Sequence, residues 1–441
     1  MKKILAGIVV ILLAAGLGAP FVNGLLAERQ IRETFDKINK MYGDSGLGIT
    51  VEITRYDRGF SSSEMEWKVN SGKMAALYGM KEWLFFDRMK HELTGVVAET
   101  TLTKNPVYAE FINKKLAGKD PLHITTRYSL TGNFETTTTL DAFAITEEGE
   151  TVQVKPGRMR ATSDKHLKHF FYEGTWDGLQ VNDLATMEGF SIKSDLEMAS
   201  LYLWEGYATF AIKGGRVEDA AAPFSFSNLK MDCTSKYDKE RNILSGKVEY
   251  GADSLSLGEK KVENAFVRIA VNGLNAKEYV EFMQQYMTTI NKVMANAAAT
   301  TEDPDQMEKA LEQQMAQVGM QLMVSAEKLL TKGLELKISD LRFKLAEGEV
   351  NGSLTVGLKK DMTMMQFVPL ANQPELALDI FELKSHLSLP KQLLGDSPMF
   401  FEPAFPGMQT GLFVAKEQRA EHQAETKDGK LLLNGKEVQL Q

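Results

Sequence analysis

Alternation of apolar and polar residues at period two limits this chain to a narrow set of folds. Leu122, Ile124, Thr126, Tyr128 and Leu130 occupy one set of alternate positions, and His123, Thr125, Arg127 and Ser129 the other. After a Gly132–Asn133 turn, Phe134, Thr136, Thr138, Leu140, Ala142 and Ala144 repeat the pattern. It returns in Leu334, Leu336 and Ile338, and in Val350, Gly352, Leu354, Val356 and Leu358. Successive side chains of a strand point to opposite faces, so such runs are strands with one apolar side. Gly-Asn, Asp-Gly, Glu-Gly and Asn-Gly pairs punctuate them and favour hairpins over long crossovers. The chain closes on the clearest case: residues 430–433, then Asn434–Gly435, then 436–440. The expected class is mainly β (α+β), an elongated, twisted antiparallel sheet.

Helical periodicity is confined to a few segments. Asn105–Pro106 opens a short helix over 107–116, with asparagine as the cap and proline in its first turn. A helical hairpin is expected over 276–332. Its first arm carries Tyr279, Phe282, Met283, Tyr286, Met287, Ile290 and Met294. Its second starts at Asp303–Pro304 and carries Met307, Leu311, Met315, Val318 and Leu322; residues 296–303 form the loop. A last helix is expected over 412–425. No low-complexity linker separates domains, so two β-rich lobes joined by the helical insert and one long sheet remain equal alternatives.

The N-terminus carries a different signal. Lys2 and Lys3 precede a run from Ile4 to Ala19 and on through Pro20 to Leu26, with no ionisable side chain before Glu28. At 1.5 Å rise per residue this run crosses a core of about 30 Å as one helix. The flanking lysines place its start in the cytoplasm. Leu25, Leu26, Ile31, Phe35, Ile38 and Met41 then recur at helical spacing among Glu28, Arg29, Arg32, Glu33, Asp36 and Lys37. This continuation without a polar linker favours a retained anchor; a cleaved signal peptide is the alternative. The expected organisation is a transmembrane signal-anchor (1–26), a juxtamembrane amphipathic helix (27–46) and a β-rich periplasmic region (47–275). The methionine-rich hairpin (276–332) and a β-rich C-terminal region (333–441) with a helix and terminal hairpin follow. The location implied is the inner membrane, single-pass, with the main body periplasmic.

The charge balance is modestly acidic, −8 overall, and no basic patch with interleaved aromatics appears. That disfavours nucleic acid as a partner. The single cysteine, Cys233, lies in a strand-like stretch and reads as a small apolar residue. An exported chain without disulfides relies on its core alone.

Catalytic and metal signatures are sparse. Gly43–Asp44–Ser45–Gly46 spells the tetrad around a chymotrypsin-like nucleophile, but no histidine precedes it, and a turn closing the amphipathic helix at Gly43 is the better account. No Gly-x-Ser-x-Gly elbow or Walker loop occurs. His166 and His169 stand three apart beside Phe170, in a segment that reads as strand and turn, so they do not share a face. No acidic-histidine cluster completes a metal set, and no cofactor is expected. His123 and Arg127 sit on a solvated strand face.

Methionine is the unusual enrichment: Met283, Met287, Met294, Met307, Met315, Met320 and Met323 all fall in the hairpin, of 22 in the chain. Packing on the sheet is the plain account. Met283, Met287, Met294, Met315 and Met323 also suit an apolar ligand surface or a dimer seam, because methionine adapts to varied partners.

Several stretches resemble the YdgA family of bacterial envelope proteins: the anchor, Arg55 to Ser62, Pro121 to Tyr128, Asn272 to Tyr279 with Phe282 and Gln284 to Tyr286, and Leu431 to Lys436. The resemblance runs nearly the length of the chain. It implies an inner-membrane-anchored periplasmic protein and no activity. A weaker architectural likeness reaches AsmA and TamB type proteins, whose sheet forms a groove for acyl chains; such likeness transfers function poorly. The expectation is a non-enzymatic, membrane-anchored protein that binds lipid or another envelope component along an apolar β groove. The alternatives are a homo-oligomeric envelope scaffold and, last, an envelope hydrolase resting on Ser45.

Overall fold

A computed structural model describes residues 2–44, 48–72, 81–102, 104–147, 149–219, 222–300, 318–319, 322–366, 370, 373–394 and 411–439. The side chains of 2–18, 44, 291, 294–300, 364 and 374 lie outside that description. The protein is mainly β, with 22 strands in one open sheet whose pairings are antiparallel. The chain nevertheless divides into two compact units. The first comprises residues 1–182, 192–201 and 286–317; the second comprises 183–191, 202–285 and 318–441.

The first unit begins with helix α1 (Lys2–Asp44). Strands β1 (Thr50–Arg58), β2 (Ser62–Asn70), β3 (Glu82–Glu92) and β4 (Gly95–Thr101) then pair in sequence. Helix α2 (Pro106–Lys115) leads to β5 (Leu122–Ser129) and β6 (Phe134–Leu140), and the hairpin of β7 (Phe143–Glu147) and β8 (Glu150–Val154) follows. Strand β9 (Gly157–Ser163) pairs with β6 and with β10 (His169–Val181). The core lies where α1 covers one sheet face: Ala27 and Ile31 bury against Met65, Met89, Val96 and Ala98, with Phe35 edge-on to Trp67 at 5.4 Å. Asn39 clamps the helix by bonding both the N–H and the C=O of Val51 at 2.7 and 2.8 Å.

Strand β11 (Ala185–Ser200) contributes residues to both units. The second unit continues through β12 (Leu203–Val217), β13 (Phe224–Asp238), β14 (Ile243–Leu257) and β15 (Lys260–Asn275). Helix α3 (Ala276–Thr300) precedes β16 (Glu335–Leu345), β17 (Gly348–Leu358), the short α4 (Ala377–Ile380) and β18 (Phe381–Pro390). The end consists of β19 (Val414–Lys416), β20 (Arg419–Lys427), β21 (Lys430–Leu433) and β22 (Lys436–Val438).

Several expectations are corrected here. Residues 412–425 are not a helix: β20 pairs with β18 there, burying Ala420 and Ala424 at alternate positions. The helix-forming glutamates and glutamines of this stretch yield to sheet pairing, since tertiary context overrides propensity. The loop expected at 296–303 is helical through Thr300, in keeping with its alanines. The hairpin's second arm falls largely on 301–317, outside the described residues; 322–327 is helical. Gly43 does not end α1, which runs to Asp44. Asn105 is positioned as the cap of α2 but makes no side-chain capping bond; its side chain is spent on the backbone of Leu84 and Leu102.

Among the described residues no helix is long and apolar enough to cross a membrane. Residues 4–18 of the apolar run expected to do so have side chains outside the description.

Candidate functional site

The second unit presents one apolar sheet face and one charged face, and register shows how they arise. Phe210 of β12 lies opposite Met231 of β13, Met231 opposite Tyr250 of β14, Tyr250 opposite Val267 of β15, and Val267 opposite Leu341 of β16. The next rung is Ala208, Cys233, Val248, Ile269 and Ile338. Paired residues share a face, so two alternate positions on five strands build a continuous apolar surface. The intervening positions carry the opposite character. Lys230 pairs with Asp232 at 2.8 Å, Glu249 takes both Lys247 and Arg268 at 2.8 and 2.7 Å, and Arg342 pairs with Asp340 at 2.8 Å. These half-buried pairs give that face its polar character, and the hydrogen bonds from Lys247 and Arg268 hold the Glu249 carboxyl below its ordinary range.

A cavity of about 380 Å³ lies on the apolar face, lined by Phe190, Phe210, Met231, Tyr250, Val267 and Leu341 among others. That volume is within the range of small-molecule sites, roughly 300–1,000 Å³. Asn228 and Asn264 interrupt their strands in left-handed conformation, at φ 49° and 51°, and the β15–β16 register slips at Asn264. Such bulges bend a strand and increase its twist. Leu255, beyond this line, also joins the lining.

The face is covered at its two ends. Near one, Leu203, Leu244 and Ala276 are buried, with Tyr279 and Val280 of α3 packed on them, and burial raises the Tyr279 hydroxyl pKa. Near the other, Leu345, Val350, Leu389, Phe413 and Ala420 form a cluster with Phe343 and Leu412. Between them Tyr250 remains 45% exposed.

The methionines singled out from the sequence are not what builds this surface. Met283 and Met287 are half-buried on α3, Met323 is exposed, and the side chains of Met294 and Met315 lie outside the described residues. Met231, a strand residue, is the methionine that lines the cavity. Cys233 sits on the same face, opposite Ala208 and Val248, and burial raises its thiol pKa, as befits a small apolar residue.

Ser45 lies outside the described residues. His166 falls in the turn before β10, while His169 opens that strand and binds Asp195 at 2.7 Å. His123 binds Asp141 at 2.9 Å. Among the described residues no group of three His, Cys, Asp or Glu side chains could hold a metal.

One nucleophile–base pair escaped the sequence reading. In the first unit Ser63 Oγ and His91 Nε2 stand 2.8 Å apart. His91 Nδ1 faces the Phe60 carbonyl at 3.3 Å, which can only accept, so Nδ1 carries the proton and Nε2 accepts from Ser63. Both residues are buried beneath α1, and burial lowers the His91 pKa. The lowered pKa favours the neutral imidazole, and the contact is a hydrogen bond shut off from bulk solvent. Asp87, on the same strand face, is also buried, and burial raises its carboxyl to about 6 against a partial offset from Thr100 and Trp67. No spacing motif links these residues; cross-strand geometry alone brings Ser63 to His91.

A family model described as "Bacterial protein of unknown function (DUF945)" matches residues 1–441, and the chain belongs to that family. No curated protein matches the chain, and no solved structure does.

Proposed function

We propose that this member of a bacterial protein family is a non-catalytic lipid-binding protein, anchored by its N-terminal segment 1–26 in the inner membrane with its body in the periplasm. The apolar face of the second unit holds the acyl portion of an envelope lipid. The observation that carries this reading is the Phe210–Met231–Tyr250–Val267–Leu341 rung with its cavity. An acyl chain fits this surface better than a peptide does. The backbone groups of these inner strands are committed to neighbouring strands, so a peptide laid across them would bury its own N–H and C=O groups unpaired. A hydrocarbon chain needs no such partners.

The reading is tested by photocrosslinking in intact cells, with benzoylphenylalanine replacing Tyr250 or, as a control on the charged face, Thr209. Mass spectrometry of the full-length protein is expected to show a lipid adduct at position 250 and none at 209. Absence of an adduct at 250, or equal labelling at both, overturns it.

A second reading, self-association, is favoured by Met323 and Val324, which stand adjacent and exposed on the helical stretch 322–327. Sedimentation of the full-length protein in detergent distinguishes it: a dimer that Met323→Glu converts to monomer supports a scaffold role.

A further inference from the structure

At the outer end of the apolar run, α1 exposes Phe21, Val22, Leu25 and Leu26. Two hairpin tips of the first unit meet the helix at this level. Phe60, at the β1–β2 tip, stacks on Phe21 with ring centroids 5.9 Å apart. At the β3–β4 tip, the Asn23 amide donates to the Glu92 carbonyl at 2.6 Å and the Leu93 carbonyl at 3.2 Å. The tips are tied to each other as well, since the His91 N–H donates to the Ser61 carbonyl at 2.9 Å. Arg58 lies 5.6 Å from the Phe21 ring centroid and pairs with Glu28 at 2.7 Å, fixing the helix against the first hairpin.

Tight turns ordinarily carry small or polar residues. Here Phe60 and Leu93 are 59% and 61% exposed at adjacent tips, beside four exposed apolar residues of the helix. Contiguous exposed apolar patches mark interaction surfaces.

We propose that Phe60, Leu93 and residues 21–26 of α1 form a collar that inserts into the periplasmic leaflet of the membrane crossed by α1, seating the first unit on the lipid surface. This rests on the reading of the N-terminal segment 1–26 as an anchor. Continuity of the helix selects the occupant. A hydrocarbon core of about 30 Å takes up roughly 20 helical residues, so a span beginning at Ile4 ends near residue 23 and residues 21–26 straddle the boundary between acyl chains and headgroups. Phe60 and Leu93 are held at that level by the contacts above. Aromatic and aliphatic side chains there bury in the headgroup–acyl boundary.

The test uses the full chain carrying Cys233→Ala, reconstituted in phosphatidylethanolamine–phosphatidylglycerol vesicles. A single fluorophore is attached through Phe60→Cys, Leu93→Cys or Val107→Cys. Val107 is exposed at the start of α2, which follows the far end of β4 from the Leu93 tip. Labels at 60 and 93 are expected to be quenched by nitroxide-bearing lipid and shielded several-fold from aqueous iodide, relative to 107. Labels at 60 and 93 as open to iodide as that at 107, on protein that still floats with the vesicles, overturn the collar alone. Protein that fails to float overturns the anchor reading and the collar with it.

Discussion

Gly24 rests directly on the imidazole of His91: a Cβ at position 24 would fall 2.2 Å from His91 Cε1. Helix α1 therefore approaches the sheet as closely as it does because residue 24 has no side chain, and His91 is itself held by Ser63 and Phe60. Gly24→Ala is expected to push α1 off strand β3 and cost about 1–3 kcal/mol, the usual range for overpacking. Limited proteolysis of the full-length protein should then cut nearer α1. Addition of His91→Ala, which restores the space, should recover part of the loss.

Asp87 makes the first unit sensitive to pH. Its folded carboxyl, at about 6, lies above the ordinary value of 3.8. The native state therefore binds more protons than the unfolded state between these values, and stability falls as pH rises from about 4 to above 6. The loss is complete above pH 7 and amounts to about 1–3 kcal/mol. Urea midpoints should be higher at pH 5 than at pH 7.5 for the native protein, and Asp87→Asn should flatten that difference. An unchanged slope in the variant would assign the effect to other groups.

Asn105 ties α2 to the sheet rather than capping it. Its side chain, buried, accepts from the Leu84 N–H at 2.7 Å and donates to the Leu84 and Leu102 carbonyls at 2.7 Å each. Asn105→Ala leaves the Leu84 N–H and C=O unpaired, while the Leu102 carbonyl keeps the backbone N–H of residue 105, and is expected to cost about 2–4 kcal/mol. Asn105→Asp keeps the acceptor but loses the donors and should also destabilise. Replacement of a cap alone would cost about 1 kcal/mol, so the thermal shift separates the two roles.

Charge on the apolar face should abolish lipid capture while sparing the fold. Tyr250→Glu introduces a carboxylate at a position 45% exposed, where stability changes stay within about 1 kcal/mol. With the photoreactive residue moved to Met231, the Tyr250→Glu protein should keep its melting temperature and lose its adduct. A retained adduct would place the lipid elsewhere.

Local patterns made much of this architecture legible. The hairpin of β5 and β6 lies where alternation and Gly132–Asn133 place it, and α2 starts at Pro106 as the Asn-Pro pair announces. Over 412–425 the alternation of Ala420, His422 and Ala424 against charged neighbours was also present. It was outweighed by helix-forming glutamate and glutamine. The methionine that lines the cavity, Met231, stands on a strand outside the methionine-rich segment, because composition reports which side chains are adaptable and not which of them share a face.

The sequence by itself determined the antiparallel class, the placement of several strands and the long N-terminal helix. Period two, period 3.6 and turn chemistry are local properties that survive without neighbours. Only the tertiary structure decided that Met231, Tyr250 and Val267 stand side by side, that Ser63 meets a neutral His91 beneath Gly24, and that Phe60 and Leu93 gather around α1. Those relationships depend on strand register and on which helix covers which face. A one-residue slip would send every side chain to the other side, and register is set by the whole sheet rather than by any one segment.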